Sequence, residues 1–351
     1  MSKNEKIKNF DPNGVGLNNG HFIGLPFEEE DASIIFLPIP WDVTVSYAEG
    51  TASGAENILQ ASGQLDLFDP YVKEAWKAGI YMRPSDESWS ERSTELREKA
   101  KQYIDWLENG SDEKQRAGMA QIKASINRAS LELKEWVNIQ TTHLLNAGKV
   151  VGLVGGEHST PLGYLEALAA NHSSFGILQI DAHMDLRKAY EGFTYSHASI
   201  FYNALGLGNI KKLVQVGIRD YCEEEVAFAK SQGERVKVFY DHEIKQMQFK
   251  GLAYDQICND IIESLPDKVY ISFDIDGLKP YLCPHTGTPV PGGLDFSEAI
   301  YLIKQVVNSG RTIIGFDLSE VAGLGHEWDG NVGARVLYSM ANLAAKSQNL
   351  L

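Results

Sequence analysis

Short apolar stretches recur along the chain, and they run without the polar alternation of a half-exposed strand. Continuous apolar runs are typical of strands that are covered on both faces, as in a parallel sheet. The predicted strands are residues 33–39, 149–155, 175–181, 212–218, 236–241, 269–276 and 312–318. Helical segments separate several of them, at Leu162–Ala170, Glu223–Gln232, Asp255–Ser264 and Ser297–Ser309. This alternation of strand and helix predicts an α/β protein with an open, mostly parallel sheet.

Residues 88–148 interrupt this pattern. They are polar and helix-prone, with a break at Asn109-Gly110-Ser111 and a second helix that extends to about Asn146. In the second helix, apolar residues recur at three- and four-residue spacing and form one stripe: Met119, Ile122, Ile126, Ala129, Leu133 and Trp136. We expect two helices that pack on the domain or on a neighbouring subunit. Without internal repeats or a low-complexity linker, the chain is predicted to be a single domain over 1–351, with a helical insertion at about 88–148.

Composition narrows the range of partners. The 351 residues can bury a sizeable core, and 43% hydrophobic with 23% charged residues is ordinary for a soluble globular protein. A net charge of -15 argues against nucleic acid and against anionic lipid, and is compatible with a cationic substrate. Three scattered cysteines without a CxxC pair favour a reduced, cytoplasmic location. The N-terminus lacks the apolar core of a signal peptide, and no stretch is long enough to span a membrane.

Groups that can bind metals follow three of the predicted strands. They form short clusters in GGEHS, DAHMDL and SFDIDGL: His158; Asp181, His183 and Asp185; Asp274 and Asp276. In open α/β sheets the reactive crevice lies beyond the carboxyl ends of the strands, where all of these residues are expected. Alternation along an extended segment would place the three ionisable residues of DAHMD on one side and Ala182 and Met184 on the other.

Four carboxylates and two imidazoles at one sheet edge predict a pair of divalent metals. Two-metal sites hold their ions roughly 3.5–4 Å apart and need a bridging carboxylate. Mixed imidazole and carboxylate ligands favour Mn²⁺, Fe²⁺, Ni²⁺ or Zn²⁺ over Ca²⁺ or Mg²⁺. Each cluster alone has an ordinary explanation, since a lone histidine is commonly just hydrogen-bonded and an aspartate at a strand end often caps a helix. Together, and each at a strand end, they point to cation binding.

These clusters, in this order, resemble the ureohydrolase family of arginase, agmatinase, guanidinobutyrase, formimidoylglutamase and relatives. The likeness runs from about Pro38 to Leu343 and is carried by PWDVTVSYAEGTASGAENILQAS, GGEHS, DAHMDL, YSHAS, SFDIDGL, TGTPVPGGL and DLSEV. The resemblance implies a three-layer α/β/α sandwich and a dinuclear metal centre, usually of manganese, with Ni²⁺ as the alternative. By analogy with the family it also implies a homo-oligomer, a trimer or a hexamer.

The resemblance also assigns roles to individual residues. Asp181 and Asp274 would bridge the metals. The ligands of single metals would be His158, His183, Asp185 and Asp276. His197 in YSHAS matches the family's proton-shuttling histidine, and Glu320 in DLSEV matches the carboxylate that pairs with a guanidinium. Spacing alone leaves His197 as an ordinary loop histidine and Glu320 as a capping or surface glutamate.

The predicted reaction is hydrolysis of a small cationic guanidino compound, with release of urea. Metal coordination can lower the pKa of water from about 15.7 to about 7, and a hydroxide bridging the ions would attack the guanidinium carbon. Asp185 would accept the proton and deliver it to the departing amine, with His197 as relay. Glu320 would orient the guanidinium by charge-assisted hydrogen bonds.

The substrate is predicted less closely than the reaction. The loop RKAYEGFTYSHAS lacks the SGN-type pattern of arginases, and YSHAS is similar to agmatinase-type members, so an agmatine-like guanidine is favoured. Lys279, His285 and Gly323 depart from the family pattern and are expected near the pocket mouth. Trp328 and His326 would shorten the pocket if their loop folds over it, which keeps free guanidine as the alternative. Guanidinobutyrate also remains an alternative substrate. Formimidoylglutamate would need an arginine such as Arg187 or Arg219 to bind its carboxylate.

Two other classes of protein differ from this prediction in recognisable ways. A non-catalytic family member would have lost a ligand, and all six are present. A deacylase of the histone-deacetylase kind would hold one zinc with a different histidine pattern, and Glu320 would have no guanidinium to meet. Urea release from guanidines, against acetate release from acylated amines, separates these classes.

Overall fold

The computed structural model, which describes residues 1–351, contains one sheet of eight strands. The strands are β1 (Ile34–Pro38), β2 (Ile80–Met82), β3 (Val150–Val154), β4 (Phe175–Ile180), β5 (Ile210–Ile218), β6 (Val236–Tyr240), β7 (Lys268–Asp274) and β8 (Thr312–Ser319). Their order is β2-β1-β3-β8-β7-β4-β5-β6, and every neighbouring pair is parallel. The predicted strands are confirmed to within two residues at each end. The short edge strand β2 was not predicted.

Eleven α-helices accompany the sheet. They are α1 (Lys3–Asn9), α2 (Gly54–Ser62), α3 (Glu87–Glu108), α4 (Arg116–Asn146), α5 (Leu162–Asn171), α6 (Ile200–Ala204), α7 (Glu223–Ser231), α8 (Asp241–Phe249), α9 (Tyr254–Glu263), α10 (Phe296–Asn308) and α11 (Glu327–Ser347). The predicted helices correspond to α5, α7, α9 and α10, and the two helices of the predicted insertion correspond to α3 and α4. Helices α1, α2, α6, α8 and α11 were not predicted. None of the helices combines the length and apolar composition that crossing a bilayer requires.

Two apolar cores lie on the two faces of the sheet, which makes the fold a three-layer α/β/α sandwich. Consecutive residues of β1 alternate between them: Ile34 and Phe36 belong to one core, and Ile35 and Leu37 to the other. This is the two-residue period of a strand that is covered on both sides. Helices α9 to α11 contribute to the first core, and α3 to α6 contribute to the second. The predicted fold class is confirmed, with a sheet that is wholly rather than mostly parallel.

The helical insertion packs on the second core. The predicted stripe of α4 faces this core: three of its residues are fully buried members, and the other three pack against it at the edges. The predicted break between the helices lies at Gly110 and Ser111, both of which have positive φ. Asp86 caps the start of α3 by accepting a hydrogen bond from the Trp89 backbone N–H at 3.1 Å. The insertion is therefore integrated with the sheet layer through ordinary amphipathic packing.

The close approach of α4 to α5 depends on one glycine. A Cβ at Gly163 would lie 2.1 Å from the Lys134 carbonyl oxygen, which is rigid helix backbone. We predict that Gly163→Ala lowers the free energy of unfolding by about 1–3 kcal/mol through overpacking. Gly118→Ala is the matched control, because nothing lies within 4 Å of its Cβ position and alanine favours a helix. Denaturant unfolding measures both, and equal stability of the two variants would contradict the predicted close packing.

Candidate metal centre

The six predicted ligands lie together at the carboxyl ends of adjacent strands. β3, β7 and β4 bring His158, Asp274 and Asp181 to this edge, and β8 ends beside them in the centre of the sheet. The turn after β3 requires Gly155 and Gly156, which have φ of 84° and 72°. A Cβ at Gly156 would lie 2.7 Å from two backbone carbonyl oxygens, so only glycine lets the chain turn here and direct His158 inwards.

A first cluster surrounds His158, whose side chain is buried. Its Nδ1 atom lies 3.0 Å from Asp181 Oδ2, 3.1 Å from Asp185 Oδ2 and 3.3 Å from Asp274 Oδ2. A second cluster forms around His183, whose Nδ1 lies 3.1 Å from Asp276 Oδ2 and 3.6 Å from Asp181 Oδ1.

Asp181 belongs to both clusters, with one carboxylate oxygen directed to each. The ligand atoms of His158, Asp181 and Asp185 lie within 4.8 Å of one another, and the same holds for Asp181, His183 and Asp276. Each group could therefore hold an ion. A carboxylate shared in this way is what a bridged pair of cations needs.

The local backbone differs from the predicted extended alternation. β4 ends at Ile180, and Asp185 has a φ of 53°, while Asp276 lies in a 3₁₀ turn just after β7. Short side chain–backbone hydrogen bonds set the orientation instead: Asp181 Oδ1 accepts from His183 N–H at 2.6 Å, and Asp274 Oδ1 accepts from Asp276 N–H at 2.8 Å. Aspartate commonly folds back on its own backbone two residues later, so the DxH and DxD spacings have a turn-forming cause.

The orientation of the His158 ring fits a metal ligand. Ser272 Oγ donates to Asp317 Oδ2 at 2.7 Å, so its oxygen is left to accept from His158 Nε2–H at 2.9 Å. In the neutral ring, Nδ1 then carries a lone pair, and this buried atom has no hydrogen-bond partner. A lone pair that faces three carboxylate oxygens needs a metal ion or a proton between them.

The pKa values of these groups also indicate that the site needs positive charge. Burial opposes a charge on His158, but the three neighbouring carboxylates outweigh it and raise the pKa well above its usual range. Burial and the nearby Asp181 raise the pKa of Asp185 to about 7. Burial, together with Asp276 and Asp181, also raises the pKa of Asp274. Without a metal, protons take the place of cations in this site.

A buried chain of side-chain amides fixes the Asp181 carboxylate. Gln215 Nε2 donates to Gln179 Oε1 at 2.6 Å, and Gln179 Nε2 donates to Asp181 Oδ2 at 2.8 Å. Both glutamines lie on strands, and all three side chains are buried. Outer partners of this kind orient metal ligands and are costly to remove.

Glu320 lies directly after β8 and is buried. Its Oε1 accepts from the His158 backbone N–H at 2.9 Å, and its backbone has a φ of 64°. Burial and the neighbouring acidic groups Glu157 and Asp276 raise its pKa well above the usual range. A strained, buried carboxylate beside a cluster of ligands is typical of a functional site.

His197 lies on a short 3₁₀ turn, His197–Ser199, and its side chain is half-buried. Its backbone N–H donates to Thr44 Oγ1 at 3.2 Å, and Thr44 in turn donates to the buried Glu157 at 2.7 Å. Burial and the nearby His183 and His158 lower the pKa of His197 to about 3. The ring is therefore neutral at physiological pH.

A cleft of about 170 Å³ opens over His183, Asp185 and His197. Its other lining residues are Ser46, Arg187, Tyr190, Ala198, Asp220, Tyr221, Glu225 and Thr288. No role was predicted for Thr44, Ser46 or Tyr190. The segments WDVTVSY and RKAYEGFTYSHAS contain these residues, but nothing in their spacing shows that they face the site.

Lys279, His285 and Gly323 were expected near the pocket mouth, and Trp328 and His326 were expected to shorten the pocket if their loop folded over it. Gly323 does not line the cleft. Lys279 pairs with Asp295 at 2.6 Å, His285 pairs with Asp329 at 2.7 Å, and the Trp328 indole donates to the Tyr281 carbonyl at 2.8 Å. None of the three lines the cleft, and neither does His326, which stacks on His285. The pocket is therefore not shortened by the loop before α11.

Comparison with known proteins places this geometry in a family. The family model described as the arginase family matches residues 32–341. This chain belongs to the arginase family. It is 31% identical over 318 residues to an N(1)-aminopropylagmatine ureohydrolase of Thermus thermophilus, covering 91% of this chain and 92% of that protein. It is 30% identical to the agmatinase of Bacillus anthracis, over 84% of this chain and 85% of the relative. The predicted family and the predicted enzyme class, hydrolases of C–N bonds in linear amidines, are confirmed.

Solved structures of arginase-family proteins share the fold. Proclavaminate amidino hydrolase from Streptomyces clavuligerus superposes with a TM-score of 0.71 at 21% identity, covering 95% of this chain and 99% of that one. The agmatine ureohydrolase of Thermoplasma volcanium gives 0.68 at 21% identity, with 99% of each chain covered. At this identity the likeness concerns the architecture.

The shared carboxylate provides a test of the metal centre. We predict that Asp181→Asn lowers the metal content below that of the wild type and abolishes turnover, because one neutral oxygen cannot bridge two cations. Asp295→Asn is the matched control, since this partly exposed residue pairs with Lys279 away from the site. Elemental analysis after reconstitution and gel filtration measures the content. Full metal content in Asp181→Asn would rule out the bridging role.

Proposed function

We propose that this protein hydrolyses a guanidino compound carrying a distal amine, releasing urea. The observation that carries the proposal is the pair of acid–imidazole clusters that share Asp181 beneath an open cleft. The relatives named as an agmatinase and an aminopropylagmatine ureohydrolase support the choice of substrate class.

The proposed ligands are the six residues of the two clusters, with Asp181 and Asp274 as bridges. Two bound cations, Mn²⁺ or alternatively Ni²⁺, would supply hydroxide near neutral pH. The bridging role is supported less directly for Asp274 than for Asp181. Asp274 Oδ2 lies 3.3 Å from His158 Nδ1, but Asp274 contacts the second cluster only by accepting a hydrogen bond from the Asp276 backbone N–H.

Glu320 is proposed to receive the guanidinium. Its Oε1 is held by the His158 N–H at 2.9 Å, which leaves the second carboxylate oxygen to accept from the substrate. A guanidinium beside it would favour the ionised carboxylate, against the burial that raises its pKa. Binding of the cation and ionisation of Glu320 would therefore reinforce each other.

Asp185 and His197 are proposed to handle protons. Asp185 lines the cleft, where its carboxylate can accept a proton and return it to the leaving amine. His197, held through Thr44, is neutral and lies at the open side of the cleft, where it can exchange protons with solvent.

The outer cleft favours a cationic tail. Asp220 lines it with a side chain that is 69% exposed, and its ion partner is His183 at 3.9 Å. Glu225 is instead engaged by the backbone N–H groups of Leu186 and Cys222 and by Arg187 at 3.8 Å. Asp220 is thus the carboxylate left for a distal ammonium group.

A guanidino acid is the second candidate, and Arg187 is the observation that favours it. Its guanidinium lines the cleft, stands over the Tyr190 ring at 4.7 Å and approaches Glu225 only at 3.8 Å. Arg219 does not compete for this role, because its guanidinium donates to the backbone carbonyls of Gly217, Asp276, Leu278 and Val290. Arginase, guanidinobutyrase and formimidoylglutamase activities, and hydrolysis of free guanidine, are therefore outcomes of the substrate test. A cytoplasmic location and a trimeric or hexameric assembly remain predictions.

A urea assay on protein reconstituted with Mn²⁺ or with Ni²⁺ tests the proposed substrate class. We predict that agmatine is hydrolysed with a higher kcat/KM than arginine, guanidinobutyrate, formimidoylglutamate or guanidine. Asp220→Asn should raise the KM for agmatine about tenfold, since it removes one charged hydrogen-bond acceptor.

Arg187→Ala is the counter-variant for this assay. It should leave agmatine preferred over the guanidino acids, because the proposed amine tail makes no bond to a guanidinium. If the wild type prefers a guanidino acid and Arg187→Ala loses that preference, the substrate is a guanidino acid and the proposed amine substrate is wrong. Absence of urea from every guanidine would reject the proposed function.

Glu320→Gln separates substrate binding from metal binding. The amide oxygen can still accept from the His158 N–H, but the charge that pairs with the guanidinium is lost. We predict unchanged metal content and a kcat/KM lower by about 10- to 100-fold, the range of a charged hydrogen bond. Loss of metals together with activity would show that Glu320 does not have the proposed role.

A further inference from the structure

One wall of the cleft is a tight hairpin turn, Tyr190–Phe193. Its two ends exchange backbone hydrogen bonds of 3.2 and 2.8 Å, and its central residues Glu191 and Gly192 both have positive φ. Tyr190 lines the cleft, where its ring stands edge-on to His197 at 5.9 Å. The position of this turn therefore sets both the width of the outer cleft and the packing of His197.

The turn is held from outside by the helical insertion. Asn127 of α4 donates from Nδ2 to the Gly192 carbonyl at 3.1 Å and accepts from the Thr194 N–H at 2.8 Å. Tyr103 of α3 packs on Phe193 with ring centroids 5.4 Å apart. A Cβ at Gly192 would lie 2.8 Å from Lys123 Cδ, so the backbone of the turn is in close contact with α4.

A second segment that lines the cleft, residues 43–46, is held by the same insertion. Buried Arg97 of α3 donates to the carbonyls of Val43 and Val45 at 3.3 and 2.5 Å. This segment carries Thr44, which contacts His197, and Ser46, which lines the cleft. Both walls are thus attached to one helical pair rather than only to the sheet.

We propose that the α3–α4 pair sets substrate selectivity by fixing the distance between the Tyr190 and Ser46 walls, with Asn127 as a positioning residue. The proposal rests on the proposed guanidine hydrolysis for its kinetic readout. Asn127 touches neither the proposed ligands nor the cleft. Its removal should therefore affect the substrate's tail more than the reacting group.

Kinetics of Asn127→Ala with two probes tests this proposal. The KM for agmatine, whose tail reaches the outer cleft, should rise about tenfold after loss of two hydrogen bonds. The KM for free guanidine should change less than about twofold, because a substrate without a tail does not touch the outer wall. Metal content should equal that of the wild type. Equal KM changes for both probes, or loss of metal, would overturn the selectivity role.

Hydrogen exchange gives a readout that does not depend on activity. Amides of residues 190–196 should exchange about tenfold faster in Asn127→Ala, while those of β4 stay protected. Asn127→Asp keeps the acceptor for the Thr194 N–H but loses the donor to the Gly192 carbonyl. Its exchange rates should therefore lie between those of the wild type and Asn127→Ala. Arg128→Ala is the control, because that exposed side chain forms no hydrogen bond or ion pair. Unchanged exchange in Asn127→Ala would reject the proposal even if urea is released, and faster exchange without urea would reject only the proposed function.

Discussion

Four buried carboxylates gathered around two imidazoles cannot all be ionised in a protein interior unless cations lie among them. Metal-free, the group compensates by protonation, with the pKa of His158 raised by its acidic neighbours and that of Asp185 raised to about 7. Such a site is unfavourable as a structural element, because apolar residues of similar size would stabilise the fold better. Its arrangement is therefore best explained by the ions it can hold.

The parallel sheet is what makes this concentration of charge feasible. Neighbouring strands of one direction end at the same edge, so β3, β8, β7 and β4 can each contribute from the turn that follows. Hydrogen bonds within these turns then aim the side chains, and positive φ at Asp185 and Glu320 adds local strain that the surrounding packing supports. The sandwich supplies rigidity, and the loops supply the chemistry.

Sequence patterns predicted the parts of this structure that depend on local repetition. Continuous apolar runs located the strands of the sheet, and the clusters after them located His158, Asp181 and Asp274. Edge strand β2 was not predicted, because its three residues are too few to show a run of apolar positions. Long-range contacts were not predicted either. Nothing in the sequence spacing of Asn127 or Arg97 shows that these residues hold loops near the cleft. Whether the loop of Trp328 folds over the pocket was left open for the same reason, since its bond to Tyr281 depends on tertiary packing.

Electron paramagnetic resonance of the protein reconstituted with Mn²⁺ tests the central claim most directly. Two ions sharing Asp181 at roughly 3.5–4 Å would be magnetically coupled and give the spectrum of an exchange-coupled pair. The account predicts that this signal appears as the second equivalent binds. A spectrum of isolated Mn²⁺ only, in folded protein at saturating metal, would contradict it.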